Sequence, residues 1–118
     1  MGEGFKGLKV WQVAKDLAVS IYKMTEKGNI ARDYGLRDQI RRSAVSVCSN
    51  IAEGDERGSN RDAVRFLYIA KGSLAELITQ LEIALEVGYI SQDEANKFEK
   101  ICSDLGKSLG ALIKARAE

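Results

Sequence analysis

Arginines form the densest group of chemically capable side chains in the middle of the chain. Between Arg37 and Lys71 the sequence places seven cations against five acids, and six of the seven cations are arginine. The planar guanidinium group suits two-point binding of phosphate oxygens. The sequence therefore predicts a nucleic-acid-binding patch made of Arg37, Arg41, Arg42, Arg57, Arg61 and Arg65. The alternative is a solvated face with ion pairs to Asp38, Asp55 and Asp62.

Enzymatic chemistry has little support in the residue types present. The chain contains no histidine, so the commonest general base and the commonest metal ligand are both absent from the sequence. Glu53, Asp55 and Glu56 cluster in one region of the sequence, but adjacent arginines and an exposed loop disfavour a magnesium site. Cys48 has no neighbouring base that could activate its thiol. We therefore expect no enzymatic activity, no cofactor and no bound metal.

The two cysteines and the hydropathy pattern bear on the compartment. Cys48 and Cys102 match no metal-binding spacing, and we expect both to be reduced packing residues in a cytoplasmic protein. A disulfide between two adjacent helices is the alternative. No run approaches the 18 uncharged apolar residues of a membrane span, and the opening residues do not resemble a signal peptide. The net charge is +1, and the length of 118 residues indicates a single domain, residues 1–118.

The elements that must position these residues are helices. The chain has no proline, and its apolar residues recur at helical spacing in four segments. Gly28 is expected to end the first helix, while Ser59 and Ser91 begin capping-box sequences at the third and fourth. The predicted segments are about 8–27, 35–53, 59–88 and 91 to near the C-terminus. Short connections predict an all-α, antiparallel up-down-up-down four-helix bundle.

The third helix is apolar on two sides. A leucine stripe that includes Leu67 and Leu74 defines the core face, and further apolar residues fall on the opposite side. This pattern indicates a second packing surface and thus self-association as a homo-oligomer, either ring-like or a dimer; the alternative is a few scattered exposed apolar residues. The predicted interface comprises Ile69, Gly72, Glu76, Ile83 and Val87, with Asn50 and Glu53 from the second helix.

Asn50 and Glu53 also admit other roles. Asn50 could bond a neighbouring helix backbone or the loop, and Glu53 could pair with Arg57 or with an arginine of a neighbouring subunit. Contact with a ligand is the alternative to these structural roles.

Several blocks, in order, carry a family resemblance. They are FKGLKVWQ at 5–12, YGLRDQIRRSAVS at 34–46, SNIAEG at 49–54, RFLYIAKGSLAEL at 65–77, TQL at 79–81 and GYI at 88–90. The chain resembles the 23S ribosomal RNA intervening-sequence proteins, which are bacterial four-helix bundles. The resemblance implies a homopentamer with no established enzymatic activity. The family is also similar to the accessory protein of diversity-generating retroelements, a pentamer that binds reverse transcriptase and nucleic acid.

Two departures from the family pattern affect these expectations. Cys48 stands where the family usually has proline, so the second helix should be straighter here. Acidic Asp55 and Glu56 replace residues that are more often basic or aromatic, which weakens the phosphate patch. Together, the residues and the resemblance predict a non-enzymatic scaffold that binds RNA or DNA together with a reverse transcriptase or other protein. The alternative is a purely structural or protein-interaction module without nucleic-acid contact.

Overall fold

Four α-helices make up most of the chain. The computed structural model describes residues 4–117, and within that range it contains no β-strand. The helices are α1 (Lys9–Met24), α2 (Tyr34–Asp55), α3 (Asn60–Glu86) and α4 (Gln92–Ala117), with 3-10 turns at Gly4–Gly7 and Asn29–Arg32. The longest dimension is 43 Å, close to the ~41 Å expected for the 27 residues of α3. The four predicted helices are therefore confirmed.

The core lies along the inward stripes of all four helices. On α3, Leu77 is fully buried and Leu67 is 2% exposed. The other helices contribute residues of the same kind at the same spacing. The fully buried side chains include Ile21 of α1, Ile40, Val47 and Ile51 of α2, and Leu109 of α4.

Close contact between α2 and α3 depends on a glycine. A β-carbon added to Gly54 would lie 3.1 Å from the carbonyl oxygen of Ala63 and 3.2 Å from the β-carbon of Phe66. Because the nearer atom belongs to the backbone, it cannot move aside as a flexible side chain can. The absence of a side chain at Gly54 thus fixes how closely the two helices approach.

Side-chain caps begin three of the helices. Asp33 Oδ1 accepts a hydrogen bond from the backbone N–H of Leu36, and Ser59 Oγ accepts one from Asp62. At α4, Ser91 Oγ accepts from the N–H of Glu94 at 3.1 Å, and Glu94 Oε1 accepts from the N–H of Ser91 at 3.5 Å. This reciprocal pair is the capping box that the sequence predicts.

The first helix ends earlier than its pattern predicts, at Met24 rather than near residue 27. The hydroxyl of the buried Thr25 donates to the carbonyl of Ile21 at 2.8 Å, and Arg41 Nε donates to the same hydroxyl at 2.8 Å. These bonds give hydrogen-bonding groups at the end of α1 partners that lie beyond its last residue. Gly28, at φ +74°, then turns the chain in the left-handed region that favours glycine.

Both cysteines are free thiols, with Cys102 buried and Cys48 half-buried. The packing interpretation is therefore confirmed, and the alternative disulfide is absent. The second helix continues without interruption through Cys48; its predicted straightness relative to proline-containing relatives stays a prediction. No helix in residues 4–117 is both long and apolar enough to cross a bilayer.

Candidate binding surfaces

Two of the six predicted phosphate-binding arginines, Arg37 and Arg41, bond the end of α1 and the 3-10 turn that follows it. Arg41 bonds Thr25 and the carbonyl of Tyr22, and its guanidinium lies 4.5 Å from the centre of the Tyr22 ring. Arg37 donates to the carbonyl of Ala31 at 3.1 Å. A cation next to the C-terminal carbonyls of α1 is favourably placed in the field of that helix. Arg41 thus joins α1 to α2 and is poorly available to an outside ligand.

Arg57 and Arg65 lie against the same aromatic ring at the start of α3. Their guanidinium carbons are 4.4 Å and 5.2 Å from the centre of the Phe66 ring. Arg57 Nη2 also donates to Glu53 Oε2 at 3.0 Å, forming one of the pairs that the sequence predicts. Stacking holds the two guanidinium groups at a defined place on the surface, while leaving their edges exposed.

The remaining two arginines, Arg42 and Arg61, are exposed on the surface. Of the alternative ion pairs, Arg37 with Asp38 forms at 3.0 Å. Asp55 pairs instead with Arg116 near the end of α4, at 2.9 Å, with both side chains partly buried. Sequence reasoning missed Arg116 because 61 residues separate the partners.

Asn50 contributes to a polar link between α2 and α3. Its amide donates to the carbonyl and to the hydroxyl of Ser46, at 2.8 Å and 3.0 Å. Ser46 Oγ lies 2.8 Å from Ser73 Oγ on α3. The prediction that Asn50 bonds a neighbouring helix backbone or the loop is wrong, since its bonds stay within α2 and reach α3 through Ser46.

The predicted interface residues of α3 lie on its outer surface. Ile69 is 45% exposed, Ile83 46% and Val87 57%. Gly72 and Glu76 are exposed between them, and an added β-carbon at Gly72 would meet nothing within 4 Å. The second apolar side of α3 therefore has no covering element within the described part of the subunit.

Two further large side chains on α3 are exposed, and neither belongs to the predicted interface. Tyr68 is 57% exposed and Ile78 is 43% exposed. Tyr68 lies one residue before Ile69, so it extends the outer surface; Ile78 lies on the side that faces α4. Their helical positions relative to the leucine stripe were the signal that could have identified them.

A glutamate one turn away perturbs Glu82 near the end of α3. A hydrogen bond with the Glu86 side chain, followed by partial burial and the negative charges of Glu86 and Glu99, raises the pKa of Glu82. A shallow cleft of about 210 Å³ between α3 and α4 is lined by both apolar and acidic residues. Its lining includes Ile78, Leu81, Glu82, Leu85, Glu99 and Cys102.

Neither cysteine thiol is activated as a nucleophile. Burial raises the pKa of Cys102 to about 11 and also raises the pKa of Cys48. A thiol with a raised pKa is protonated and weakly nucleophilic at neutral pH. Across residues 4–117, no group of three or more His, Cys, Asp or Glu side chains is arranged to hold a metal ion.

Comparison with solved structures finds a close fold relative. A crystal structure of a protein of unknown function, from the S23 ribosomal protein family of Bacteroides thetaiotaomicron, is 27% identical in sequence with a TM-score of 0.81. The alignment covers 89% of this chain and 98% of that one. No curated protein matches this chain.

The family comparison covers nearly the whole chain. The family model described as 23S rRNA-intervening sequence protein matches residues 6–111, from the 3-10 turn at the start into the last part of α4. That range contains every sequence block on which the resemblance depends, except Phe5 at the start of the first block. The relation to the retroelement accessory protein stays a prediction. The chain belongs to the 23S rRNA-intervening sequence protein family.

Proposed function

We propose that the protein is a non-enzymatic, self-assembling helical scaffold whose copies meet through the outer surface of α3. The observation that carries this proposal is the exposure of Ile69, Ile83 and Val87 on a helix whose opposite side is fully packed. A helix that is apolar on two sides is normally covered on two sides. Self-association supplies that cover without requiring another protein.

An antiparallel bundle is part of the proposal. Tyr89, just after α3, donates to Asp33 at the start of α2 at 3.0 Å, so the end of one helix lies beside the beginning of the other. Connections of a few residues also favour antiparallel neighbours. The family resemblance adds the expectation of a homopentameric ring, and the cysteine usage adds that of a cytoplasmic location.

Light scattering during size-exclusion chromatography tests the assembly. At micromolar concentration we expect a mass several times that of one 13.0 kDa chain. Replacing Ile83 and Val87 with serine should lower that mass, because it removes apolar area from the contact. The matched control replaces Val19 of α1, which is similarly exposed, with serine. A monomeric wild-type protein would contradict the proposal.

Contact with RNA or DNA is a second candidate function, supported by the cations at the start of α3. Arg57 and Arg65 stack on Phe66 with exposed edges, and Arg61 is exposed between them along the chain. Guanidinium groups held in this way can meet phosphate oxygens with little loss of side-chain freedom. The family resemblance adds a reverse transcriptase or another protein as a possible third component.

A titration with fluorescent single-stranded RNA and duplex DNA at two salt concentrations tests this contact. We expect affinity to fall as salt rises, and to fall further in the triple variant Arg57→Gln, Arg61→Gln, Arg65→Gln. The control variant replaces Lys97, Lys100 and Lys107 of α4 with glutamine, which removes the same charge elsewhere. Equal binding by the two variants, or affinity that salt does not change, would favour the alternative of a scaffold without nucleic-acid contact.

A further inference from the structure

The second helix also has an outward side that carries apolar residues, which we call the outer surface of α2. Its exposed residues recur every three or four positions and are Tyr34, Asp38, Arg42, Val45 and Ser49. Tyr34 is 66% exposed and Val45 is 39% exposed. Within residues 4–117, α4 has no exposed large apolar side chain. Of the two helices that pack beside α3, α2 is therefore the one that offers apolar area for a contact.

The place of α2 in the bundle suits a closed ring. Because α3 packs against α2 and α4, α1 lies diagonally across the core from α3. The outer surfaces of neighbouring helices in a four-helix bundle point about 90° apart, and those of diagonal helices about 180° apart. Contact surfaces about 90–120° apart close rings of about four to six copies, whereas surfaces about 180° apart give an open row. A ring built through α3 therefore uses a helix beside α3, and not α1, as its second contact.

Contacts within the subunit fix the height of each α2 residue relative to α3. The hydroxyl oxygens of Ser46 and Ser73 are 2.8 Å apart, so these two residues lie at one height along the bundle. Since the proposed bundle is antiparallel, the numbers of any two residues at one height add up to about 119, as they do for this pair. The close approach of Gly54 to Ala63 and Phe66 agrees. In a ring whose axis follows the bundle, all copies share one height, so the relation also holds between α3 of one copy and α2 of the next.

At equal heights, large side chains on one surface meet small ones on the other. Val45 lies at the height of residue 74 and so faces the gap between Gly72 and Ala75 of the next copy. Nothing within the subunit occupies the space outside Gly72, and small residues let two helices approach closely. Tyr34 lies at the height of residue 85, two positions from Ile83, which is 46% exposed. The two surfaces therefore match in shape and in apolar area.

The charges on the two surfaces match as well. Arg42 lies at the height of residue 77, next to Glu76. Both are exposed, and in the described range 4–117 neither forms an ion pair within the subunit. Asp38 comes near the height of Glu82, but Arg37 already balances the charge of Asp38 at 3.0 Å. A contact between copies thus gives Arg42 and Glu76 the partners that the subunit does not supply.

We propose that the outer surface of α3 in one copy packs against the outer surface of α2 in the next, with Val45 between Gly72 and Ala75 and with Arg42 paired to Glu76. This inference rests on the proposed self-assembly and names the second surface of its contact. The contact is heterologous, because each copy uses two different surfaces, and it alternates α2 and α3 around a closed ring. It assigns Arg42 to the contact between copies rather than to phosphate.

Disulfide cross-linking between copies tests the contact. The test variant carries Val45→Cys and Ala75→Cys in a Cys48→Ala background, which removes the half-buried native thiol close to position 45. Within one subunit these two positions point outward from different helices, so a disulfide between them requires two copies. Mild oxidation at micromolar concentration should give a ladder of linked chains on a denaturing gel, in steps of 13.0 kDa up to the assembly mass from light scattering. Either cysteine alone should give single chains.

The matched control combines Val19→Cys on α1 with Ala75→Cys in the same background, and it should give single chains because α1 lies diagonally across from α3. An assembled protein in which Val45→Cys with Ala75→Cys forms no ladder would overturn the contact and leave the proposed self-assembly standing. Dimers formed by Ala75→Cys alone would also overturn it, because α3 would then meet α3. A ladder from the control would place α1, and not α2, against α3. A monomeric wild type would overturn both proposals.

Discussion

The inner and outer faces of α3 differ in size, charge and exposure of their side chains. Along the inner face, Leu67, Leu77 and Leu81 are at most 6% exposed and pack against the other helices. Along the outer face, Gly72 and Ala75 lie between two like-charged pairs in open solvent. The inner face follows from the need to bury apolar area within one subunit. The outer face does not, so its residues are informative about contacts beyond the subunit.

The largest expected effect separates the two faces directly. Leu77→Ala should lower the free energy of unfolding by about 2–5 kcal/mol, because it leaves a cavity at a fully buried site. Ile83→Ala on the outer face should leave the stability of the dissociated subunit nearly unchanged. Urea denaturation at low protein concentration measures both. A comparable loss for the two variants would show that Ile83 is packed within the subunit.

Glycines give a second comparison of a packed and an open site. Gly54→Ala should cost about 1–3 kcal/mol, because its methyl group would press on the backbone of Ala63. Gly72→Ala should raise subunit stability by about 0.5–1 kcal/mol, since the site is open and alanine favours helix. Thermal unfolding of the dissociated subunits checks the opposite signs. A stabilising Gly54→Ala would mean that α2 and α3 can separate at little cost.

Neighbouring arginines on α2 provide a smaller contrast. Arg41→Gln should lower stability by about 1 kcal/mol, because the bonds to Thr25 and to the carbonyl of Tyr22 are lost at the end of α1. Arg42→Gln, its exposed neighbour, should change stability little. Chemical denaturation compares the two, and equal stabilities would show that Arg41 does not hold α1. For the same reason, replacing Arg41 in a nucleic-acid titration would change the stability of the bundle as well as any contact with phosphate.

The sequence predicts local features well because they depend on neighbours along the chain. Apolar spacing identifies all four helices, and the Ser91 capping box forms as its residues indicate. The exposed outer face of α3 also follows from helical geometry applied to the residue order. In each case, the relevant contacts lie within about one turn of helix.

Features that depend on contacts between residues far apart in the chain are harder to predict from the sequence. Arg41 bonds Thr25 just beyond the end of α1 from 16 residues further along the chain, a contact that periodicity does not show. The sequence order suggests nearby arginines as partners of Asp55, whereas the fold brings Arg116 to it. Likewise, Arg37 and Arg41 form bonds within the subunit because the fold places α2 beside the end of α1 and the turn after it, and the spacing of the arginines does not show this.

The smallest expected effect concerns the acidic end of the outer face. Because the pKa of Glu82 is raised in the folded subunit, the stability that its protonated form contributes is complete below the ordinary glutamate value of 4.5 and is lost as pH rises through the raised value. Glu86→Gln removes one carboxylate of the pair, so the pKa of Glu82 should fall toward its ordinary value. The variant subunit should then be more stable than wild type near neutral pH and equal to it in acid.

Carbon-13 titration of the Glu82 carboxyl, with urea midpoints at about pH 3 and pH 7, measures both quantities on dissociated subunits. Glu76→Gln is the matched control, because it removes one outward charge from the same helix without touching the Glu82–Glu86 pair. An unchanged Glu82 pKa in Glu86→Gln would show that burial and Glu99, rather than Glu86, cause the shift. The acidic end of the outer face of α3 would then carry less internal repulsion.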